Sequence, residues 1–172
     1  MQARFTVSRD LLTPALRKKA AALSGSGRRA LLEQMGLSLA SIAQRAFNDA
    51  SLRPSAWAPR RSGDGDRPLL KRSGLLWKSP RIAALDDRRV TVGSDRPYAS
   101  AHQFGTGAYT IRPKSKRALF WPGARHPVKA VHHPGLPARP FFPFDTSGKI
   151  TPTAAQKIRT AAMAKLKALL GA

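Results

Sequence analysis

At 172 residues, 42% of them apolar, the chain has the length of one domain, or of two small ones, and enough apolar side chains for a modest core. The absence of cysteine rules out disulfides, thiolate zinc sites and cysteine nucleophiles together. Thirty-one Lys and Arg face nine Asp and Glu, Glu33 being the sole glutamate, for a formal net charge of +22. Such a surface repels itself and attracts polyanions: DNA, RNA, an anionic membrane or an acidic protein.

The opening MQARFTVSRD has no apolar h-region, and no run approaches the roughly eighteen apolar residues of a spanning helix. The expectation is a soluble, intracellularly made protein with no membrane partner. Residues 4–7, RFTV, predict a short strand. Ser8 can cap a following helix in which Leu12, Leu16 and Leu23 share a face; Pro14 belongs in its first turn, so the helix proper begins near Thr13. SGSG at 24–27 breaks it. A second helix follows from Arg28, with Leu31, Met35, Leu39, Ile42 and Ala46 at helical steps and Leu32, Ala43 and Phe47 beside them. Gly36 costs that helix about 1 kcal/mol relative to Ala and predicts a close approach of another backbone. Pro54 ends the run, and residues 1–52 read as a helical hairpin.

Residues 53–74 read as a long irregular loop with Trp57 as its aromatic anchor. Over 75–145 the pattern turns to strands. LLWKSPRIAAL and RRVTVGS flank Asp86-Asp87 as a hairpin. RPYASAHQFGTG predicts a short helix or turn closed by Gly105. YTI and RALFW predict a second hairpin around a basic turn, and HPVKAVHH a weak further strand. Thr151 and Pro152 open a last helix over 151–170, with Ile158, Ala162, Leu166 and Leu169 on one face. The order of elements gives an α+β fold, expected as a single domain.

The chemistry-bearing residues are few. Asp64 and Asp66 sit in a Gly-rich loop without the further oxygen ligands of a calcium site. Asp86 and Asp87 suit turn chemistry. His126, His132 and His133 fall within eight residues, but the adjacent pair points to opposite faces of a strand and no carboxylate or thiolate accompanies them. No nucleophile elbow or phosphate loop is present. No enzyme, metal or cofactor is expected. The basic residues are spread along the chain, which suits phosphate attraction without base readout. An acidic protein neighbour answers the charge equally well.

HHPGLPARPFFPFD, residues 132–145, is the most unusual stretch. Its prolines forbid a helix interior or central strand, and its aromatic bulk argues against a linker. Phe141, Phe142 and Phe144 are either anchors for a neighbouring subunit or caps on the protomer's own core. Arg139 could grip a carboxylate with both arms of its guanidinium. In YASAHQFG, Tyr98, His102 and Gln103 are read as orienting a turn by hydrogen bonds, with Gly105 supplying a positive φ; a partner contact by His102 or Gln103 is the alternative.

Three segments in order resemble the phage virion morphogenesis family, the tail completion proteins of Mu-like phages. RPLLKRSGLLWKSPRI resembles its L-x-x-[ST]-G-x-L-x-x-S-I segment, VTVGSDRPYASAHQFGTG its V-x-V-G-[ST]-x-x-x-Y-A-x-x-H-Q-x-G segment, and HPGLPARPFF its I-P-A-R-P-F-L signature. AFNDASLRPSAWAP is similar to the family's link between second helix and Trp loop. The match runs from about Leu31 to Phe144. It departs at the Gly-Asp-Gly-Asp stretch before Pro68 and at Phe142, where an aliphatic is common. The resemblance implies a non-enzymatic virion protein of the head–tail neck or upper tail, acting in tail completion and head–tail joining. It implies a homo-oligomeric ring around the DNA path, a hexamer by expectation, meeting tail terminator and head-completion or adaptor proteins. On that reading Trp57, His102, Gln103, Arg139, Phe141, Phe142 and Phe144 are candidate subunit or partner contacts. Arg60, Arg61, Lys71, Arg72, Arg112, Lys114, Lys116 and Arg117 are candidate contacts to DNA in the channel. Charge alone supports an alternative, a general nucleic-acid-binding protein without sequence preference.

Overall fold

The computed structural model describes residues 12–60, 68–145 and 147–171; the strand expected over 4–7, the Ser8 cap, Arg61, Asp64 and Asp66 lie outside them. Helix α1 (Leu12–Ala22) holds Pro14 in its first turn, where the missing N–H has no intrahelical partner to lose. Leu16 in this helix and Leu23 just behind it are not core residues, at 56% and 39% exposed. The break after it is shorter than SGSG suggests. Gly25 to Gly27 are already the first turn of α2 (Gly25–Arg45).

The apolar spacing of α2 does build core. Ile42 and Ala46 pack with Leu52, Ala154 and Ile158, flanked by Met35, Leu39 and Ile150. Gly36 is buried, but what approaches it is not backbone. A Cβ there would lie 2.5 Å from Val90 Cγ2 and 3.1 Å from Ile82 Cγ1 and Cδ1, so the glycine makes room for side chains of a hairpin. The helix also stops nine residues short of Pro54. Asp49 competes with the helical backbone by accepting hydrogen bonds from the Ser51 N–H and hydroxyl (3.0 and 2.6 Å), and a 3-10 turn spans Ala50–Leu52. That early exit turns Phe47 away from the helix packing and towards the Trp57 loop.

Strands β1 (Arg81–Leu85) and β2 (Val90–Gly93) pair antiparallel with a bulge between Ile82 and Ala84. Their turn is the expected one: Asp86 Oδ1 accepts the N–H groups of Arg88 and Arg89, both at 2.7 Å. Helix α3 (Ala99–Phe104) ends at Gly105, whose φ of 74° is the positive value expected of it. Strand β3 (Tyr109–Ile111) does not pair with RALFW. Its partner is β4 (Val131–His133), in the register Tyr109 to His133 and Ile111 to Val131. Pro113 and a run of like charges interrupt the expected hairpin, whereas β4 offers Val131 opposite Ile111 and a ring, His133, stacked 4.9 Å from Tyr109. RALFW contributes one bridge, Leu119 to Val128.

Helix α4 (Pro152–Leu170) starts behind Thr151 with Pro152 at its first position, though the Thr151 hydroxyl makes no capping bond. Ala154 and Ile158 are buried against α2, and Ala162, Leu166 and Leu169 are half-buried along the same face. Helix α2 is thus the spine, with α4 along it and the β1–β2 hairpin against it. Among the described residues the fold is α+β: four helices and two two-stranded antiparallel sheets. A second cluster, Phe47, Trp57, Leu76, Ala99 and Phe141, closes beyond the C-terminal end of α2.

Candidate functional site

The proline-rich stretch forms a strap, 134–144, held to the body by α3. Gln103 is 7% exposed, and its amide meets three backbone groups of the strap. Oε1 accepts the N–H of Phe141 (3.0 Å) and of Phe142 (2.9 Å), while Nε2 donates to the Phe142 carbonyl (3.3 Å). One helical turn of Gln103 thereby replaces the strand partner that prolines 137, 140 and 143 deny the strap. The Arg139 N–H donates to the His102 carbonyl at 2.7 Å, and Leu136 and Thr106 exchange backbone bonds. A Cβ on Gly105 would come within 2.8 Å of the Leu136 carbonyl oxygen, so the strap runs directly against the glycine.

The strap in turn captures the Trp57 loop. Arg139 is 9% exposed; its Nε donates to the Ala58 carbonyl and Nη2 to the Pro59 carbonyl, both at 2.9 Å. Trp57 Nε1 returns a bond to the Pro140 carbonyl at 2.8 Å. The Trp57 ring lies under the Arg53 guanidinium at 3.8 Å and meets Phe47 edge-on at 5.6 Å. Burial lowers the Arg53 pKa from its ordinary value, with the Asp49 charge opposing. The fork of Arg139, read from sequence as a carboxylate grip, is spent on main-chain carbonyls of its own chain.

The three phenylalanines divide their roles. Phe141 is fully buried and tilts 5.2 Å from Phe47. Phe142 and Phe144 are half-buried and stack at 6.1 Å. They line an apolar groove of about 390 Å³ with Phe104 and Arg96. Phe104, 77% exposed, was not among the residues singled out from sequence; its position just before a helix-closing glycine is the signal that could have marked it.

His102 sits on the other side of the strap. It lines a cleft of about 570 Å³ with Arg60, Arg72, Tyr98, His133 and Arg139, and its ring meets Tyr98 edge-on at 6.0 Å. Its Nδ1 is buried and lacks a hydrogen-bond partner among the described residues. Burial, then the Arg139 charge, pushes its pKa below the ordinary imidazole value. The unfolded chain therefore takes up the proton first as pH falls. The His102 contribution to stability is whole above the ordinary value and is lost progressively below it, down to the depressed folded value. We expect the urea midpoint to drop between about pH 7.5 and about pH 5.5, and the drop to shrink in His102→Gln. An equal drop in the variant would assign the effect to another group.

The candidate DNA contacts separate into two sets. Lys71 bonds to the Asn48 side-chain oxygen and lies over the Trp77 ring at 4.8 Å. Arg60 donates to the Pro68 carbonyl at 3.1 Å, and Arg72 is exposed at the cleft. Arg112, Lys114, Lys116 and Arg117 lie elsewhere, exposed on the excursion between β3 and β4. Phe120 and Trp121 share it, 67% and 45% exposed. Sequence reading put these two rings in a strand; the Pro122-Gly123 turn signal directly behind them is what argues otherwise. Among the described residues no three His, Asp or Glu side chains gather as a metal site, and no helix is long and apolar enough to cross a membrane.

Comparison with curated proteins and with solved structures finds no match. A family model does match: that of the phage virion morphogenesis family, over residues 8–167. The match takes in α1 through most of α4, the Gln103 turn and the strap, so the chain belongs to the phage virion morphogenesis family and has a structural or assembly role in building a phage particle.

Proposed function

We propose that this protein completes the tail at the head–tail neck, as a non-enzymatic, homo-oligomeric ring around the DNA path. The family match across 8–167 carries the reading. A closed ring requires a heterologous interface, one surface of each copy meeting a different surface of the next. The Phe104, Phe142 and Phe144 groove suits one half of such an interface. Trp57, Gln103, Phe141 and Arg139 act behind it, fixing the strap so that little freedom is lost on docking. A hexamer that also meets tail terminator and head-completion proteins is the arrangement we favour, with genomic DNA held non-specifically by lumen cations. The second reading, a nucleic-acid-binding protein working outside the particle, draws on the +22 charge.

Two observations test the proposal together. An averaged reconstruction of virions should show the protein as a ring at the neck. Particles made without it should accumulate as separate heads and tails. Normal joined particles lacking the protein would refute the neck reading and favour the second.

A further inference from the structure

Between Ile111 and Val131, which face each other across β3 and β4, the chain makes an excursion of nineteen residues, 112–130. It is an arm rather than a slack loop. Leu119 and Val128 exchange both backbone bonds, at 2.8 and 3.0 Å, and narrow it to a ribbon. At the tip the Ala124 N–H donates to the Trp121 carbonyl at 3.0 Å. Pro122 and Gly123, the latter at φ 91°, occupy the central positions of a type II turn, where proline presets the first and glycine permits the second. Trp121 is therefore presented by a stiff corner, with Phe120 beside it.

The arm carries Arg112, Lys114, Lys116, Arg117, Arg125 and Lys129 and no acidic residue. None of the six is bonded or ion-paired among the described residues; the three ion pairs there engage Arg28, Arg81 and Arg96. Two open rings amid six unanswered cations narrow the choice of partner. A second copy would bring its own positive charge against them. An acidic protein would answer the cations but set charge against the rings. A nucleic-acid strand offers both complements in alternation: phosphates for the cations and flat bases for the rings. In intact duplex the base faces are covered by stacking, whereas in single strands and open ends they are free.

We propose that the arm 112–130 is a nucleic-acid grip, its cations holding phosphates while Phe120 and Trp121 stack on bases, so that single strands and open ends bind in preference to intact duplex. The assignment deepens the DNA contact in the proposed neck role, but its test needs no virion, so the two can fail separately.

The experiment uses the full-length protein with a labelled oligothymidylate and a duplex of equal length, at matched salt, read by anisotropy. Single strand should bind about tenfold more tightly. Trp57 is buried and Trp77 half-buried, so Trp121 is the tryptophan open to quenching by bases, and the quench should disappear in Trp121→Leu. Phe120→Leu and Trp121→Leu should each weaken single-strand binding on the order of tenfold and leave duplex binding unchanged. Replacing Lys114, Lys116 and Arg117 with glutamine should weaken both ligands and reduce the log–log salt slope on single strands by about 2. Duplex binding as tight as single strand would overturn the proposal. So would ring variants with unchanged single-strand affinity, or heparin quenching Trp121 as fully as the oligonucleotide. Ring-dependent binding to phosphatidylserine vesicles in place of oligonucleotide would overturn it in favour of a lipid surface.

Discussion

Replacing Phe141 by alanine is expected to lower the unfolding free energy by about 3–5 kcal/mol. The ring is fully buried, between Phe47 at 5.2 Å and Phe142 at 4.9 Å, in the cluster that also holds Trp57, Leu76 and Ala99. Its neighbours are fixed from three directions, by the exit of α2, by α3 and by the Trp57 loop. The space left by the ring cannot collapse easily, which puts the cost in the upper part of the range for lost core aromatics. Chemical denaturation should show a lower midpoint at unchanged slope. Phe144→Ala is the internal comparison: that ring is half-buried at the groove, and its removal should cost roughly 1 kcal/mol. Similar losses from the two would mean that the strap does not pack as described.

The second large effect belongs to Gln103. Gln103→Leu keeps the volume but orphans two N–H groups of the strap, while the Phe142 carbonyl loses its Nε2 donor and keeps the Phe144 N–H at 2.8 Å. Each buried polar group left unmade costs about 1–3 kcal/mol, and partial access of water at Phe142 softens the sum, so we expect a loss of roughly 2–4 kcal/mol. Gln103→Glu is more informative. A carboxylate can still accept from Phe141 and Phe142, but its second oxygen then faces the Phe142 carbonyl, where Nε2 had donated. The variant should be weakened at neutral pH and recover in part on acidification, when the protonated carboxyl can donate. Thermal melts of both variants across the pH range read this directly; a Glu variant insensitive to pH would show that the third bond contributes nothing.

Much of the fold was legible because it obeys local rules. The apolar spacing of α2 and α4, the Asp86 turn and the glycine stop of α3 need only a few neighbouring residues to be read. What escaped was decided at long range. The choice between RALFW and VHH as the partner of YTI depends on cross-strand pairing that no local propensity expresses. The occupant beside Gly36 could be named as a close approach but not as a Val90 methyl group. At the site, the aromatic and proline content of 134–144 announced a rigid element. Arg139 and Gln103 were picked out by residue type, yet an arginine fork satisfies a pair of carbonyls as well as a carboxylate, and sequence does not say which stands opposite. Phe120 and Trp121 were misjudged because apolar residues in a row look the same whether they face a core or the solvent.

The bond between Trp57 and Pro140 joins residues 83 apart, and those from Arg139 to Ala58 and Pro59 span 81 and 80. During translation these partnerships have no local substitute. At about 5–20 residues per second, Trp57 and Phe47 wait on the order of ten seconds for the strap to be synthesised. The helical spine must wait still longer, since α4 follows the strap. Closing loops of that size is a late and slow step of folding. The nascent chain therefore passes through a long interval as a cationic, aromatic-bearing polymer, in which chaperone capture and aggregation compete with completion of the fold.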